Sequence, residues 1–585
     1  MSSLPIFGYA CYRIRRYDAV HARDVLAYTA YIRIMLNLIL AAMIAAPRVE
    51  VVVPASVHAE PITGRVFVFF SHDSAPEPRL QSGGMVSVPF FGQDVDQLAP
   101  GTPGVIDLNS QGYPLQSMAS LPAGDYYAQA IVSVYTKFAR ADGHTIWAHM
   151  DEWEGQQFNR APGTLVSAVQ RVHVDATGAV SVHFEVSRVL PPVEVPPDTK
   201  YVKRVKIQSQ ILTKWWGHPM YLGAVVLLPK GYDEHPAEKY PAIWEQGHFT
   251  LSAPFGFTSD TEPTARRLRR AEGTARESGA EFAKSWLSDG FPQMVAFRIL
   301  HPSPYYDDSY AVNSANNGPY GDAIMQELIP YLETHFRVIR DPNARVLTGG
   351  STGGWEALAL QVYHPDFFGG TWVFYPDPVD FRRYEQVNLY NDTNAFVIHR
   401  NEFITQWRPS ERTVDGQPVV QLHEENQLNN TRGSHRRGGE NFAIWEATFG
   451  PTDKDGYPAP IWNDTTGVVN RDVAMYWRDH YDIRYYLDQN WSKIGPDLVG
   501  KIHVFCGDED NYYLNLAVYL LQDYLENVKN PAYGGSFAYG RPLKPHGWQP
   551  TTSADLVRQM SAYIAKRRGR VAIHTPTMRA SAHTS

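Results

Sequence analysis

Arg345-Val346-Leu347-Thr348-Gly349-Gly350-Ser351-Thr352-Gly353-Gly354-Trp355 is the stretch on which the fold turns. Residues 345–348 are strand-type. A helical pattern then runs from Trp355 to Val362, with Leu358 and Val362 on one side. Between them, Gly349-Gly350-Ser351-Thr352-Gly353 fits G-x-S-x-G. Glycines at both flanks, Gly349 and Gly353, permit a tight strand-to-helix turn with strained backbone angles, which lifts a serine hydroxyl above a sheet. Ser351 is therefore the candidate nucleophile. The Thr352 N–H, opening the helix, is a candidate oxyanion donor.

Upstream, 221–229, 240–244 and 294–299 read as strands. Ala323, Ile324, Leu328, Ile329, Leu332 and Phe336 fall on one helical face. Strands alternating with helices predict an α/β domain, a mostly parallel sheet covered on both faces. The loop after the third strand of such a domain supplies the second oxyanion donor. Here that loop is Gln246-Gly247-His248-Phe249, so the amides of His248 and Phe249 are candidates.

Downstream, the nucleophile needs an acid and a base, in chain order Ser, acid, His. Beyond residue 500 the histidines are His503, His546, His574 and His583. His503 sits inside the apolar run Ile502-His503-Val504-Phe505 and reads as a strand residue. His574 and His583 lie in a polar tail. His546 remains, in a loop ahead of a helical pattern (Leu556, Met560, Tyr563, Ile564), where the base belongs. Gly507-Asp508-Glu509-Asp510 follows the 502–506 strand. Asp510 is the favoured acid; Asp508 and the more distant Asp377 are its rivals.

These motifs carry a resemblance. Asn316-Asn317-Gly318-Pro319-Tyr320-Gly321-Asp322, a helix, and then Gly349 to Trp355 resemble the putative-esterase family of α/β-hydrolases, which includes esterase D/S-formylglutathione hydrolase and enterochelin esterase. The resemblance spans roughly 200–375 and 500–568. It implies an α/β-hydrolase fold, Ser351 as nucleophile, and Asp510 and His546 by position. Pro545-His546-Gly547-Trp548 departs from the Gly-His lead-in common among relatives. A second departure is an insertion over about 378–495, expected to form a lid or substrate platform. Its basic loop, Arg432 to Gly439, is expected to be a solvated surface.

Ahead of the catalytic domain, residues 60–190 show short alternating runs and few helical patterns, the signature of an all-β sandwich. Pro191 to Pro197 opens a stiff linker over 191–199. The catalytic domain is expected over 200–570, with a flexible tail over 571–585. Residues 1–59 read as an export leader: arginines, the apolar run 35–46, and a small-residue site at 57–59. That run is too short to span a bilayer, which takes ~20 apolar residues. The expected location is periplasmic or extracellular.

Composition bounds the function. Of 585 residues, 44% are hydrophobic and 13% aromatic, which excludes a disordered chain. Fifty-three basic against 61 acidic residues give a net charge of −8, without the dominant basic face that nucleic acid requires. Two cysteines, Cys11 and Cys506, exclude a disulfide scaffold. There is no H-E-x-x-H, P-loop or C-x-x-C, so no metal or nucleotide cofactor is implied. The reading is a serine esterase acting on a small-molecule or carbohydrate-linked ester through an acyl-enzyme. Acyl transfer or peptide cleavage on the same triad is the alternative, and a non-catalytic binding protein is the third.

Overall fold

A computed structural model describes residues 47–573, apart from 83, 156–157, 177–179, 259–274, 276, 307 and 440. The catalytic sheet has eight strands: β1 (Val202–Ser209), β2 (Met220–Leu227), β3 (Ala242–Gln246), β4 (Val295–Leu300), β5 (Arg345–Gly350), β6 (Gly370–Phe374), β7 (Ile502–Gly507) and β8 (Ser536–Gly540). They lie in the order 1-2-4-3-5-6-7-8. β2 is antiparallel to both neighbours, and every other pairing is parallel. β3 and β5 are central and buried on both faces, so Ala242-Ile243-Trp244 and Val346-Leu347 read as unbroken apolar runs. This is a mixed α/β-hydrolase sheet. β8 (Ser-Phe-Ala-Tyr-Gly) lacks a strong strand signature and escapes the sequence reading.

The N-terminal β domain differs from expectation in where it starts. It starts at Arg48–Val52, a strand that pairs in parallel with Ser181–Val189 and antiparallel with Pro103–Ile106. Val49 and Val51 are fully buried there. The expected boundary at 59/60 therefore falls inside the domain, because a cut there would remove a paired strand. The leader's arginines and apolar run, 1–46, lie outside the described residues. Its strands are linked by hydrogen bonds around one shared core, with Ser181–Val189 joined both to Arg48–Val52 and to Leu165–Ser167. Ile62–Ser71 is buried along its whole length. Val66, Val68 and Phe70 face the domain's own core, while Phe67 and Phe69 pack with Tyr306 and Leu428 of the catalytic half.

The seam between the halves is polar as well as apolar. Arg65, 2% exposed, donates to Asp94, Gln111 and the carbonyls of Gly92, Asn430 and Thr431. Arg437 pairs with Asp94 at 2.9 Å and donates to the Trp147 carbonyl. Arg436 pairs with Glu446 and Asp464, both at 2.8 Å. Arg436 and Arg437 are buried, so the basic loop is an internal clamp rather than a solvated surface. Carboxylates remote in sequence decide this, and a charge run read alone does not reveal them.

The insertion ends earlier than the sequence suggests. It holds two hairpins (Val397–His399 with Thr405–Trp407, and Pro409–Arg412 with Pro418–Gln421) and helices Leu422–Arg432, Asn441–Phe449 and Arg471–Tyr481. Helix Ile483–Leu498, assigned to the insertion from the sequence, packs on helix Thr352–Tyr363 and feeds β7. It is the crossover that a parallel β6-to-β7 step requires. The last helix runs Ser553–Ile573, slightly past the expected end of the domain. Among the described residues, no helix is long and apolar enough to cross a membrane.

Candidate active site

β5 ends at Gly350, and helix Thr352–Tyr363 starts one residue after Ser351. Ser351 takes φ 59° and ψ −125°, a region costing of order 1–3 kcal/mol for a residue with a Cβ. The flanking glycines are steric necessities. A Cβ on Gly349 would lie 2.1 Å from the Gly353 carbonyl oxygen, and one on Gly353 would lie 2.2 Å from that of Gln246. The elbow is thus pressed against the end of β3 and the start of the 247–249 loop.

His546 lies in the loop between β8 and the last helix. Its Nδ1 is 2.8 Å from Asp510 Oδ2. Asp510 is fully buried, and its Oδ1 accepts the Tyr512 N–H at 3.0 Å. The His546 N–H donates to Asn511 Oδ1 at 3.0 Å, so the Asp510–Asn511 turn grips both ends of the histidine. Tyr375 and Tyr512 stand edge-on to the imidazole, with centroids 4.7 and 5.0 Å away. Burial disfavours the imidazolium, but the Asp510 charge and hydrogen bond, with Asp377 behind them, outweigh it and hold the His546 pKa above its ordinary value.

The two rival carboxylates go elsewhere. Asp508 Oδ1 accepts the Lys544 N–H at 2.8 Å and anchors the loop that carries His546. Asp377 meets Ser351 rather than His546. Ser351 Oγ donates to Asp377 Oδ1 at 3.3 Å. Asp377 Oδ2 accepts Tyr310 OH at 2.7 Å, Thr352 Oγ1 at 3.0 Å and Trp445 Nε1 at 3.3 Å. Burial is the main influence on this carboxyl and carries its pKa above the usual range despite those donors. Trp445 comes from the insertion, so the insertion reaches the surroundings of Ser351 directly. Behind it, burial pushes the Glu385 carboxyl well up, reinforced by Glu425, Asp377, Asp510 and Glu411. Tyr310, Trp445 and Tyr375 are residues around Ser351 and His546 that sequence reasoning missed. Each reads as an ordinary core aromatic, and nothing in its local sequence marks it.

The two candidate loop amides separate. The Phe249 N–H donates to Asp308 Oδ2 at 3.0 Å, which removes Phe249 as an oxyanion donor. The His248 ring lies beside the elbow: its Nε2 is 3.3 Å from Thr352 Oγ1 and its Nδ1 3.5 Å from Asp308 Oδ2. Among the excluded histidines, His503 is in β7, stacked on Trp372 and 2.8 Å from Ser536 Oγ. Burial lowers its pKa to about 4. His574 and His583 lie outside the described residues.

Comparison with known proteins adds the family. The Putative esterase family model matches residues 220–430. None of the curated proteins matches the sequence. Among solved structures, the S-formylglutathione hydrolase of Agrobacterium tumefaciens is 12% identical, with 64% of this chain and 98% of that chain covered and a TM-score of 0.30. The serine hydrolase FphF of Staphylococcus aureus is 13% identical, with 62% and 99% covered and a TM-score of 0.31. A CE1 ferulic acid esterase from Anaeromyces mucronatus is 13% identical, with 63% and 91% covered and a TM-score of 0.26. By the family model over residues 220–430, this chain carries a Putative esterase domain and is an ester hydrolase.

Proposed function

We propose that the chain is a serine esterase in which Ser351, His546 and Asp510 form the triad and an acyl-enzyme is the intermediate. The observation that carries this reading is the pairing of His546 with Asp510 at 2.8 Å across the sheet end that presents the strained Ser351. In the resting arrangement the Ser351 hydroxyl donates to Asp377. Attack on an ester carbonyl passes its proton to His546, and Asp510 steadies the resulting imidazolium. The amides of Thr352 and His248 hold the oxyanion. Loss of the alcohol, protonated by His546, leaves the acyl-enzyme, which water resolves with His546 again as base. Tyr310 and Trp445 are positioning residues that fix Asp377 under the nucleophile.

The substrate proposed is a small-molecule or carbohydrate-linked ester, and the proposed location is outside the cytoplasm. Processing then falls before Arg48, since the strand beginning there belongs to the folded domain. The test is Ser351→Ala: kcat on a short p-nitrophenyl ester should drop by ~10⁴–10⁶-fold with the fold intact. Unchanged turnover in the purified variant overturns the reading.

A further inference from the structure

His149-Met150-Asp151-Glu152-Trp153-Glu154 lies where the β domain meets the catalytic sheet, and it turns three ligating side chains onto one point. A ring nitrogen of His149, an Asp151 oxygen and a Glu154 oxygen all lie within 4.8 Å of one another. The set is dry: His149 is 4% exposed and Asp151 8%, and the Glu154 side chain 4%. Existing contacts hold the ligands in place. The Asp151 oxygens accept the N–H groups of Trp153 and Gly155 at 2.7 and 3.0 Å, and Glu154 Oε2 accepts that of Glu152 at 2.8 Å. The His149 ring is stacked on Tyr306 at 4.0 Å, and its Nε2 points at Glu154 Oε1. A carboxylate oxygen carries two lone pairs, so these bonds leave room for a cation.

Charge points the same way. Among the described residues, no Lys or Arg pairs with Asp151 or Glu154; the partner of Glu154 is His149. Asp308, 1% exposed, adds a buried carboxyl from the catalytic half: it accepts the N–H of Phe249, the residue that Trp153 and Gly155 pack against, at 3.0 Å. Several carboxyls gathered in a buried seam with one imidazole need either protons or a metal to neutralise them.

We propose that His149, Asp151 and Glu154 bind a first-row divalent metal, Zn²⁺ or Mn²⁺, in a structural site at the seam of the two halves. One imidazole with two carboxylates suits these ions better than Ca²⁺ or Mg²⁺, which prefer all-oxygen sets. The site's reach toward catalysis is through packing. Trp153 meets Phe249 at a centroid distance of 5.3 Å, and Gly155 abuts the Phe249 side chain. Phe249 follows His248 directly, so a metal here stiffens the loop that carries the proposed oxyanion donor. That last consequence rests on the esterase reading; metal binding itself does not.

The test is calorimetric titration of the full-length, EDTA-treated protein with ZnCl₂ and separately MnCl₂, with elemental analysis of the dialysed product. One equivalent of either metal is expected, and the melting temperature should rise on its addition. Glu154→Gln and His149→Gln should each weaken binding by at least ~10-fold. Failure of the wild-type protein to take up a stoichiometric equivalent overturns the proposal, and so does affinity unchanged in both variants. Should the variants misfold, anomalous diffraction at the metal edge from wild-type crystals decides. A peak among these three side chains supports the site, and a peak only elsewhere overturns it. None of these readouts uses esterase activity, so a failure here is distinguishable from failure of the triad assignment.

Discussion

Asp510→Asn is the substitution that the geometry predicts most sharply. Asp510 Oδ2 faces His546 Nδ1 at 2.8 Å, and Oδ1 accepts the Tyr512 N–H at 3.0 Å. An asparagine keeps the shape but has one acceptor oxygen and one NH₂ group. The backbone N–H of Tyr512 claims the oxygen, so the NH₂ faces the imidazole. Nδ1 must then accept, and the ring proton moves to Nε2, the atom that has to receive the Ser351 proton. The wrong tautomer at an otherwise intact triad costs ~10⁴ in kcat, or about 5.4 kcal/mol at ~1.36 kcal/mol per decade. Loss of the Asp510 charge also removes the chief influence raising the His546 pKa, so the residual activity should rise through a lower apparent pKa than in the wild type. The assay is kcat and kcat/KM for p-nitrophenyl butyrate across pH, with far-UV circular dichroism as the control for folding. Asp508→Asn and Asp377→Asn are the companions. The first should lose far less activity, because Asp508 bonds the Lys544 N–H rather than the base. A kcat for Asp510→Asn within tenfold of wild type refutes the reasoning. So does an Asp377→Asn variant more damaged than Asp510→Asn, which would transfer the acid's role to Asp377.

Other variants probe the scaffold. Gly353→Ala puts a Cβ 2.2 Å from the Gln246 carbonyl oxygen and should destabilise the protein in urea by at least ~1–3 kcal/mol, as overpacking does. Ser351→Gly should be more stable than Ser351→Ala by about 1 kcal/mol in chemical unfolding, because glycine relieves the positive φ at a smaller entropic cost. Arg65→Ala leaves Gln111 and the carbonyls of Gly92, Asn430 and Thr431 without this buried donor, while Asp94 keeps Arg437, and should cost at least about 1–3 kcal/mol by the same measurement. Glu385 is pushed up by burial in the folded state, so the unfolded chain loses this proton first as pH rises. Its contribution to stability is present below the unfolded carboxyl range and lost above it. Glu385→Gln should therefore gain stability over wild type at neutral pH, with the gain vanishing in acid; a pH-independent difference in melting temperature contradicts this.

How much of this was legible in the sequence depended on whether the signal was local. The elbow is local: two glycines with no room for a Cβ and a serine between strand and helix are visible within five residues. Asp510 was legible because it follows a clear apolar strand, and His546 because the other histidines are in a strand or a tail. Asp377 could be found as an aspartate at a strand end, but its contact with Ser351 depends on Tyr310 and Trp445, brought in from 67 and 68 residues away in the chain. The start of the β domain at Arg48 was hidden because its partners, 103–106 and 181–185, are remote and the apolar run before it imitates an export signal. Arg436 and Arg437 misled for the same reason: their burial is set by Asp94, Glu446 and Asp464, none of them neighbours in sequence.

The central claim is that Ser351 is the nucleophile, and covalent labelling addresses it most directly. Wild-type protein treated with a fluorophosphonate should gain one adduct by intact mass, and peptide mapping should place it on Ser351. Ser351→Ala, folded by circular dichroism, should gain none. An adduct on any other residue, or equal labelling of the Ser351→Ala variant, contradicts the account.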